Sequence, residues 1–142
     1  MASAIRLRHD WFAILVALGL ALGGPACDWF KDSTSPTETS TDTFSGTLAP
    51  QGSNVFTFTV AKTGPVSVTL TSVAPAATTV VGLGIGTLSG TTCTVTTSNA
   101  TATAGATPQI VVTENPGSYC LRVYDSSTLA AAVTFSVKVQ HS

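Results

Sequence analysis

The chain has 142 residues, of which 44% are hydrophobic and only 9% charged, and its net charge is −1 at pH 7. This balance argues against a nucleic-acid partner, because neutralising phosphates requires a basic surface. The length suits one domain with appendages, and the many β-branched residues favour sheets over helices.

The first 26 residues have the pattern of a bacterial export signal. Arg6 and Arg8 precede an apolar run over residues 11–22, and small residues follow over 23–26. The run is shorter than the about 20 residues that a membrane-spanning helix needs. A basic start, a short apolar core and a small-residue exit predict a signal peptide over residues 1–26. A buried core helix is the alternative.

Cys27 follows this segment directly. The run LGGPAC at residues 22–27 resembles the lipobox of bacterial lipoproteins, in which the cysteine is acylated and becomes the new N-terminus. Gly24 and Pro25 depart from that pattern, so ordinary cleavage after Ala26 stays open. We expect lipidation of Cys27, because an odd cysteine in an exported protein has to be explained.

The other two cysteines are predicted to pair. With Cys27 acylated, Cys93 and Cys120 remain, and the envelope compartments of bacteria are oxidising enough to join them. A disulfide closing a loop of this length contributes about 3.5 kcal/mol in the chain-entropy account. Metal ligation is the rival interpretation, but the sequence has no Cys-x-x-Cys spacing and no histidine near either cysteine.

Residues 27–43 are predicted to form a Ser/Thr-rich linker. From residue 31 to 43 the sequence has no apolar side chain and no period, so it cannot bury enough surface to offset the entropy of ordering. Such a stretch behaves as a solvated spacer. Trp29 and Phe30, between Cys27 and the spacer, suit the membrane interface.

Residues 44–142 are predicted to form the globular domain. Apolar and polar residues alternate there with a period of two, and Gly- and Pro-rich turns interrupt the alternation. Roughly eight short segments of this kind, with no convincing helix, predict an all-β fold, an antiparallel β-sandwich. The segments are residues 43–48, 56–60, 66–71, 80–88, 91–97, 109–113, 118–125 and 133–140.

Four runs in this domain resemble the bacterial pre-peptidase C-terminal (PPC) domain family. They are FSGTL at 44–48, FTFTV at 56–60, GPVSVTL at 64–70 and PGSYCLRVYD at 116–125. The resemblance spans residues 44–142 and implies a jelly-roll-like β-sandwich of the kind usually appended to secreted enzymes. No enzyme precedes the domain here, so an accessory role for a neighbouring catalytic domain is not expected.

Candidate catalytic groups are few in this domain. His141, the one histidine after the predicted signal peptide, lies at the C-terminus, where chains are expected to fray. Glu114 and Asp125 flank one strand and are too far apart for a glycosidase pair. The PPC resemblance leaves a calcium site on these two acids open, but two separated carboxylates supply few of the roughly six to eight oxygens that Ca²⁺ prefers. We therefore expect no enzyme activity, no metal site and no cofactor.

Two features of the strands have competing interpretations. Gly82, Gly84 and Gly86 share one strand face, which either packs under a neighbouring strand's side chains or forms a shallow groove for a ligand, and packing is favoured. Arg122 and Tyr124 share the face of another strand opposite Tyr119. They form a candidate binding surface, although such pairs are also common on exposed strand faces that bind nothing.

These patterns lead to one functional hypothesis and a runner-up. The hypothesis is a non-catalytic β-sandwich, exported and lipid-anchored at the bacterial envelope or extracellular, that binds an unknown envelope protein or glycan. The runner-up is a structural surface protein whose strands add edge to edge with copies of itself, with Lys62 and Lys138 as candidate guards of the edges.

Overall fold

The computed structural model describes residues 38–142. The predicted signal peptide, Cys27 and residues 27–37 of the predicted linker lie outside this range. No helix in the described range is long and apolar enough to cross a membrane.

The described residues form eight strands, as the alternation predicts. In chain order they are β1 (Ser40–Leu48), β2 (Ser53–Val60), β3 (Gly64–Ala74), β4 (Val81–Ser89), β5 (Thr92–Ala102), β6 (Ile110–Glu114), β7 (Gly117–Tyr124) and β8 (Val133–His141). Every predicted segment overlaps one of these strands.

The strands make two four-stranded antiparallel sheets. Sheet A has the order β1-β8-β3-β6, and sheet B has the order β2-β7-β4-β5. Successive strands pass from one sheet to the other except at the β4–β5 hairpin. This is the strand order of a jelly roll, so the predicted β-sandwich class is confirmed.

The core lies between the sheets because each strand turns every second side chain inward. In β8, Val133, Phe135, Val137 and Val139 are buried, and the residues between them face outward. On the side where β1 faces β2, the rings of Phe44 and Phe56 stack with centroids 4.9 Å apart. The alternation therefore determines which face of each strand is buried.

Both ends of the domain are more ordered than the sequence suggests. β1 begins at Ser40, so residues 40–43 of the predicted linker belong to the sheet, where Ser40 pairs with His141 of β8. The predicted fraying of the C-terminus is wrong. His141 is 5% exposed, and the Ser142 carbonyl accepts hydrogen bonds from the amides of Ala61 at 2.9 Å and Lys62 at 3.4 Å. The composition of residues 40–43 is that of a spacer, and the sequence alone does not show that β8 is their pairing partner.

Candidate functional site

The candidate binding residues lie on the outer face of sheet B. β7 alternates as predicted, so that Tyr119, Leu121 and Val123 are buried while the Arg122 side chain is exposed. Arg122 pairs with Val55 of β2, which is 46% exposed. We call the outward side chains of Val55, Arg122 and Tyr124 the Arg122 face.

Arg122 and Tyr124 contact each other on this face. The Arg122 Cζ lies 5.4 Å from the centroid of the Tyr124 ring, within the range of a cation–π contact. The same ring covers Gly82 of β4, where an added Cβ would overlap ring atoms Cδ2, Cε2 and Cζ. Arg122 is therefore held beside a ring that rests on bare backbone.

The glycine stripe of β4 is filled by the chain itself. Tyr124 covers Gly82, and a Cβ at Gly84 would lie 2.9 Å from Cγ1 of Val95 on β5. At Gly86 a Cβ would overlap the backbone carbonyl of Thr94. Packing, the favoured interpretation of these glycines, is confirmed. The groove proposed as its alternative is occupied by β5 and β7.

The predicted disulfide joins Cys93 of β5 to Cys120 of β7 with an S–S distance of 2.02 Å. In sheet B these strands are separated by β4, where Gly86 pairs with Cys120. Strands two positions apart are normally about 9.5 Å apart, but the two Cα atoms are 5.8 Å apart. β5 therefore leans over β4, and the β4–β5 ladder shifts register between Ile85 and Gly86 to allow it.

Asp125 has a structural role at the end of β7. Its Oδ2 accepts a hydrogen bond from the Gln51 amide at 2.8 Å, and its Oδ1 accepts from the amides of Thr128 at 2.9 Å and Leu129 at 3.2 Å. These bonds, the one from Gln51 foremost, lower the pKa of Asp125. The carboxylate ties the β1–β2 turn to the β7–β8 loop, and the structure accounts for it without a ligand.

Glu114 lies at the other end of β7, next to Tyr119. Burial raises the pKa of Tyr119, and Glu114 raises it further. The Tyr119 hydroxyl donates a hydrogen bond to the Asn115 carbonyl at 2.8 Å. At about 3.4 Å per residue, β7 keeps Glu114 and Asp125 roughly 25 Å apart, so the structure does not bring the two acids together.

The sequence reasoning missed a polar pair at the inner face of sheet A. His141 Nε2 lies 3.0 Å from Oδ2 of Asp42, and the imidazole centroid lies 5.4 Å from the Phe58 ring. His141 Nδ1 is buried without a hydrogen-bond partner, so no hydroxyl completes a triad with this pair. The sequence signal for this pair is the two-residue period of the strands. Asp42 continues the inward-facing positions of β1, and His141 continues the inward-facing positions of β8.

The described residues offer few other arrangements that could bind a ligand or a metal ion. Residues 38–142 contain no group of three or more histidine, cysteine or acidic side chains that could hold a metal ion. An open cavity of about 270 Å³ lies at the end of sheet A where β1 begins, and its walls are Thr39, Pro65, Ser67, Gln140 and Ser142. None of these side chains is charged or a strong nucleophile, so the Arg122 face remains the leading candidate site.

Comparison with known proteins leaves the family open. No family model matches the chain, and no curated protein matches it. The likeness to the PPC family consequently rests on the four sequence runs.

Proposed function

We propose that this protein is a non-catalytic binding module, held at the bacterial envelope by a lipid on Cys27, that presents the Arg122 face to a ligand. The PPC-like runs and the jelly-roll order support a secreted module of this general kind. The Cys93–Cys120 disulfide supports an oxidising, exported location.

The observation that carries the binding proposal is an exposed guanidinium without a counter-charge on a rigid support. No carboxylate of residues 38–142 lies within ion-pair distance of Arg122. Asp42 pairs with His141, and backbone amides occupy Asp125. Arg122 lies on β7, an interior strand that the disulfide links to β5, so the site is held by sheet and not by a mobile loop.

The binding role is tested with the full-length protein as bait in detergent-solubilised envelope extract. We expect the wild type to retain a component that an Arg122→Ala, Tyr124→Ala double variant does not retain. Lys138→Ala is the matched control, because it removes one positive charge from the outer face of sheet A. Equal recovery with all three proteins would rule out the Arg122 face as the binding site.

The anchor is tested separately by Cys27→Ser. A lipoprotein cysteine carries more than one acyl chain, which stable attachment requires. We expect the variant to leave the detergent phase while its thermal unfolding stays unchanged, because Cys27 lies outside the sandwich. A Cys27→Ser protein that still fractionates with membranes like the wild type would refute the lipid anchor.

One observation favours the self-assembling surface protein as a second candidate. β2 is an edge strand that pairs only with β7, and its eight residues include no charge and no proline to block a further strand. Lys138 cannot guard an edge, because it lies on β8 between β1 and β3. Size-exclusion chromatography separates the candidates: oligomers that grow with concentration favour assembly, and a monomer at all concentrations favours a binding module.

A further inference from the structure

The arrangement of Arg122 and Tyr124 limits what kind of ligand the Arg122 face can take. Neutral sugars bind exposed aromatic faces by stacking, but the Tyr124 ring rests on Gly82 and has the Arg122 guanidinium beside it. The ring is half-buried, while Arg122 is exposed. The group offered to a ligand is consequently the planar cation, and its preferred partner is a carboxylate or phosphate bound through two parallel hydrogen bonds.

The surroundings of Arg122 favour a lightly charged polysaccharide among the anionic ligands. Arg122 is the one charged side chain that β2, β4, β5 and β7 contribute to sheet B, whereas polyphosphates and nucleic acids need several cations. Val55 is the one large apolar side chain on this face that is strongly exposed. The exposed apolar surface is therefore too small for the hydrophobic core of a typical protein interface. Exposed hydroxyls flank the Arg122 position on β2, from Ser53 and Thr57, which pair with the residues two places to either side of Arg122.

We infer that the Arg122 face binds an acidic polysaccharide in which uronic acid residues are interspersed among neutral sugars. The Arg122 guanidinium pairs with one uronate carboxylate, and the neighbouring serine and threonine hydroxyls bond to sugar hydroxyls. Tyr124 holds the guanidinium in place through the cation–π contact and serves as a positioning residue. This inference rests on the proposed binding function and specifies its ligand.

The experiment uses two chemically matched probes and the full-length protein in detergent. Glucuronoxylan oligosaccharides are compared with the same oligosaccharides after carbodiimide-mediated reduction of their carboxyl groups to alcohols. We expect calorimetric titration to show binding of the native probe, weakened by added salt, and binding about ten- to hundredfold weaker for the reduced one, as expected for one charged hydrogen-bonded pair.

The protein variants test the site on the same probe. Arg122→Gln is expected to weaken binding about ten- to hundredfold, and Arg122→Lys by less, because lysine keeps the charge but not the planar fork. Lys138→Gln is expected to bind like the wild type. Arg122 is exposed, so the variants should fold, and the comparison of the two probes on wild-type protein decides the question even if a variant does not.

Each contrary result has a distinct meaning. Equal binding of native and reduced oligosaccharides, or no binding of either, overturns the inference. Equal losses from Lys138→Gln and Arg122→Gln also overturn it, because they indicate attraction by overall charge. If an envelope component is still retained in an Arg122-dependent way, the ligand class is wrong and the binding function stands. If no envelope component is retained, both the ligand class and the proposed binding function are wrong.

Discussion

The two sheets bury similar apolar inner faces, but they are secured in different ways. On the outside of sheet B, the chain adds a partial second layer in which β5 leans over the glycines of β4 and the Cys93–Cys120 disulfide holds it there. Sheet A has no such layer among the described residues. It is fastened at one end, where Asp42 of β1 meets His141 of β8 and the chain terminus bonds to the β2–β3 turn.

The difference shows how a domain with few charges gains stability beyond a modest core. A sandwich of about 100 residues buries a limited fraction of its surface, so cross-links and extra contacts have large relative effects. Sheet B gains extra contacts from the glycines of β4, because the absence of Cβ atoms there lets β5 approach closely. Sheet A gains an extra contact from the Asp42–His141 pair, whose two side chains occupy positions that simple alternation would fill with apolar residues.

The largest expected effect comes from removing the cross-link of sheet B. The disulfide has a sequence separation of 27, and the Cys93→Ala, Cys120→Ala double variant should lose about 3–4 kcal/mol of unfolding free energy. Urea unfolding of the oxidised protein measures the loss, and dithiothreitol added to wild type should reproduce it. A loss under about 1 kcal/mol would mean that packing alone holds β5 over β4.

Gly86→Ala tests whether the bare backbone of β4 is required. The new Cβ would overlap the backbone of Thr94, which cannot rotate away as a side chain can, so we expect a loss of about 2–3 kcal/mol. Gly105→Ala is the matched control, because nothing lies within 4 Å of its added Cβ. The control should be neutral or slightly stabilising.

A double-mutant cycle sharpens this test. If the close approach of β5 is what makes Gly86 necessary, the cost of Gly86→Ala should fall when both cysteines are also replaced, because β5 is then free to move away. Strictly additive costs would show that the clash and the cross-link are independent.

On sheet A, Asp42→Ala should cost about 1–2 kcal/mol. The substitution leaves the buried Nε2 of His141 without its partner, and an unsatisfied buried polar group is costly. Asp42→Asn keeps an acceptor oxygen and should cost less. Thr41→Val, on the outward side of the same strand, is the control in thermal unfolding. Equal stability of Asp42→Ala and wild type would show that the pair does not fasten β1.

The smallest effect concerns Asp125, at the opposite end of the sandwich from His141. Its folded-state pKa lies below its unfolded value of about 3.9 because backbone amides, that of Gln51 first, stabilise the carboxylate. This contribution is present above about pH 4 and is lost as the pH falls through the lower folded-state pKa. Asp125→Asn should therefore flatten the pH dependence of the melting temperature below pH 4. An unchanged slope would contradict the role of these hydrogen bonds.

Much of the fold follows from local chemistry. The alternation of Val133, Phe135, Val137 and Val139 with polar residues identifies both the strand β8 and its buried face, because the side-chain period of a strand is two. The Asn115-Pro116-Gly117 sequence marks the start of β7 by a different signal, because proline and glycine favour the backbone angles of a turn. Cysteine parity predicts the Cys93–Cys120 bond, which the structure contains.

The polar side chains of the sites were harder to predict. Asp42 belongs to a stretch that has the composition of a spacer, and its partner His141 is 99 positions away. The sequence indicates Asp125 only as a candidate acid, because its three backbone donors come from a distant turn and from its own loop. A short polar sequence does not reveal partners that other strands supply.

By itself, the sequence determined the all-β class, the positions of the eight strands, their inward faces and the cysteine pair, because these depend on residue type and on a local period. The PPC resemblance implied a jelly-roll-like sandwich, but only the tertiary structure decided which strands are neighbours in each sheet, that β5 approaches β7 over β4, and that His141 is buried against Asp42. Those outcomes depend on which strands become neighbours, and strand pairing joins residues far apart in the chain whose affinity for one another appears only when the sheets close around a common core.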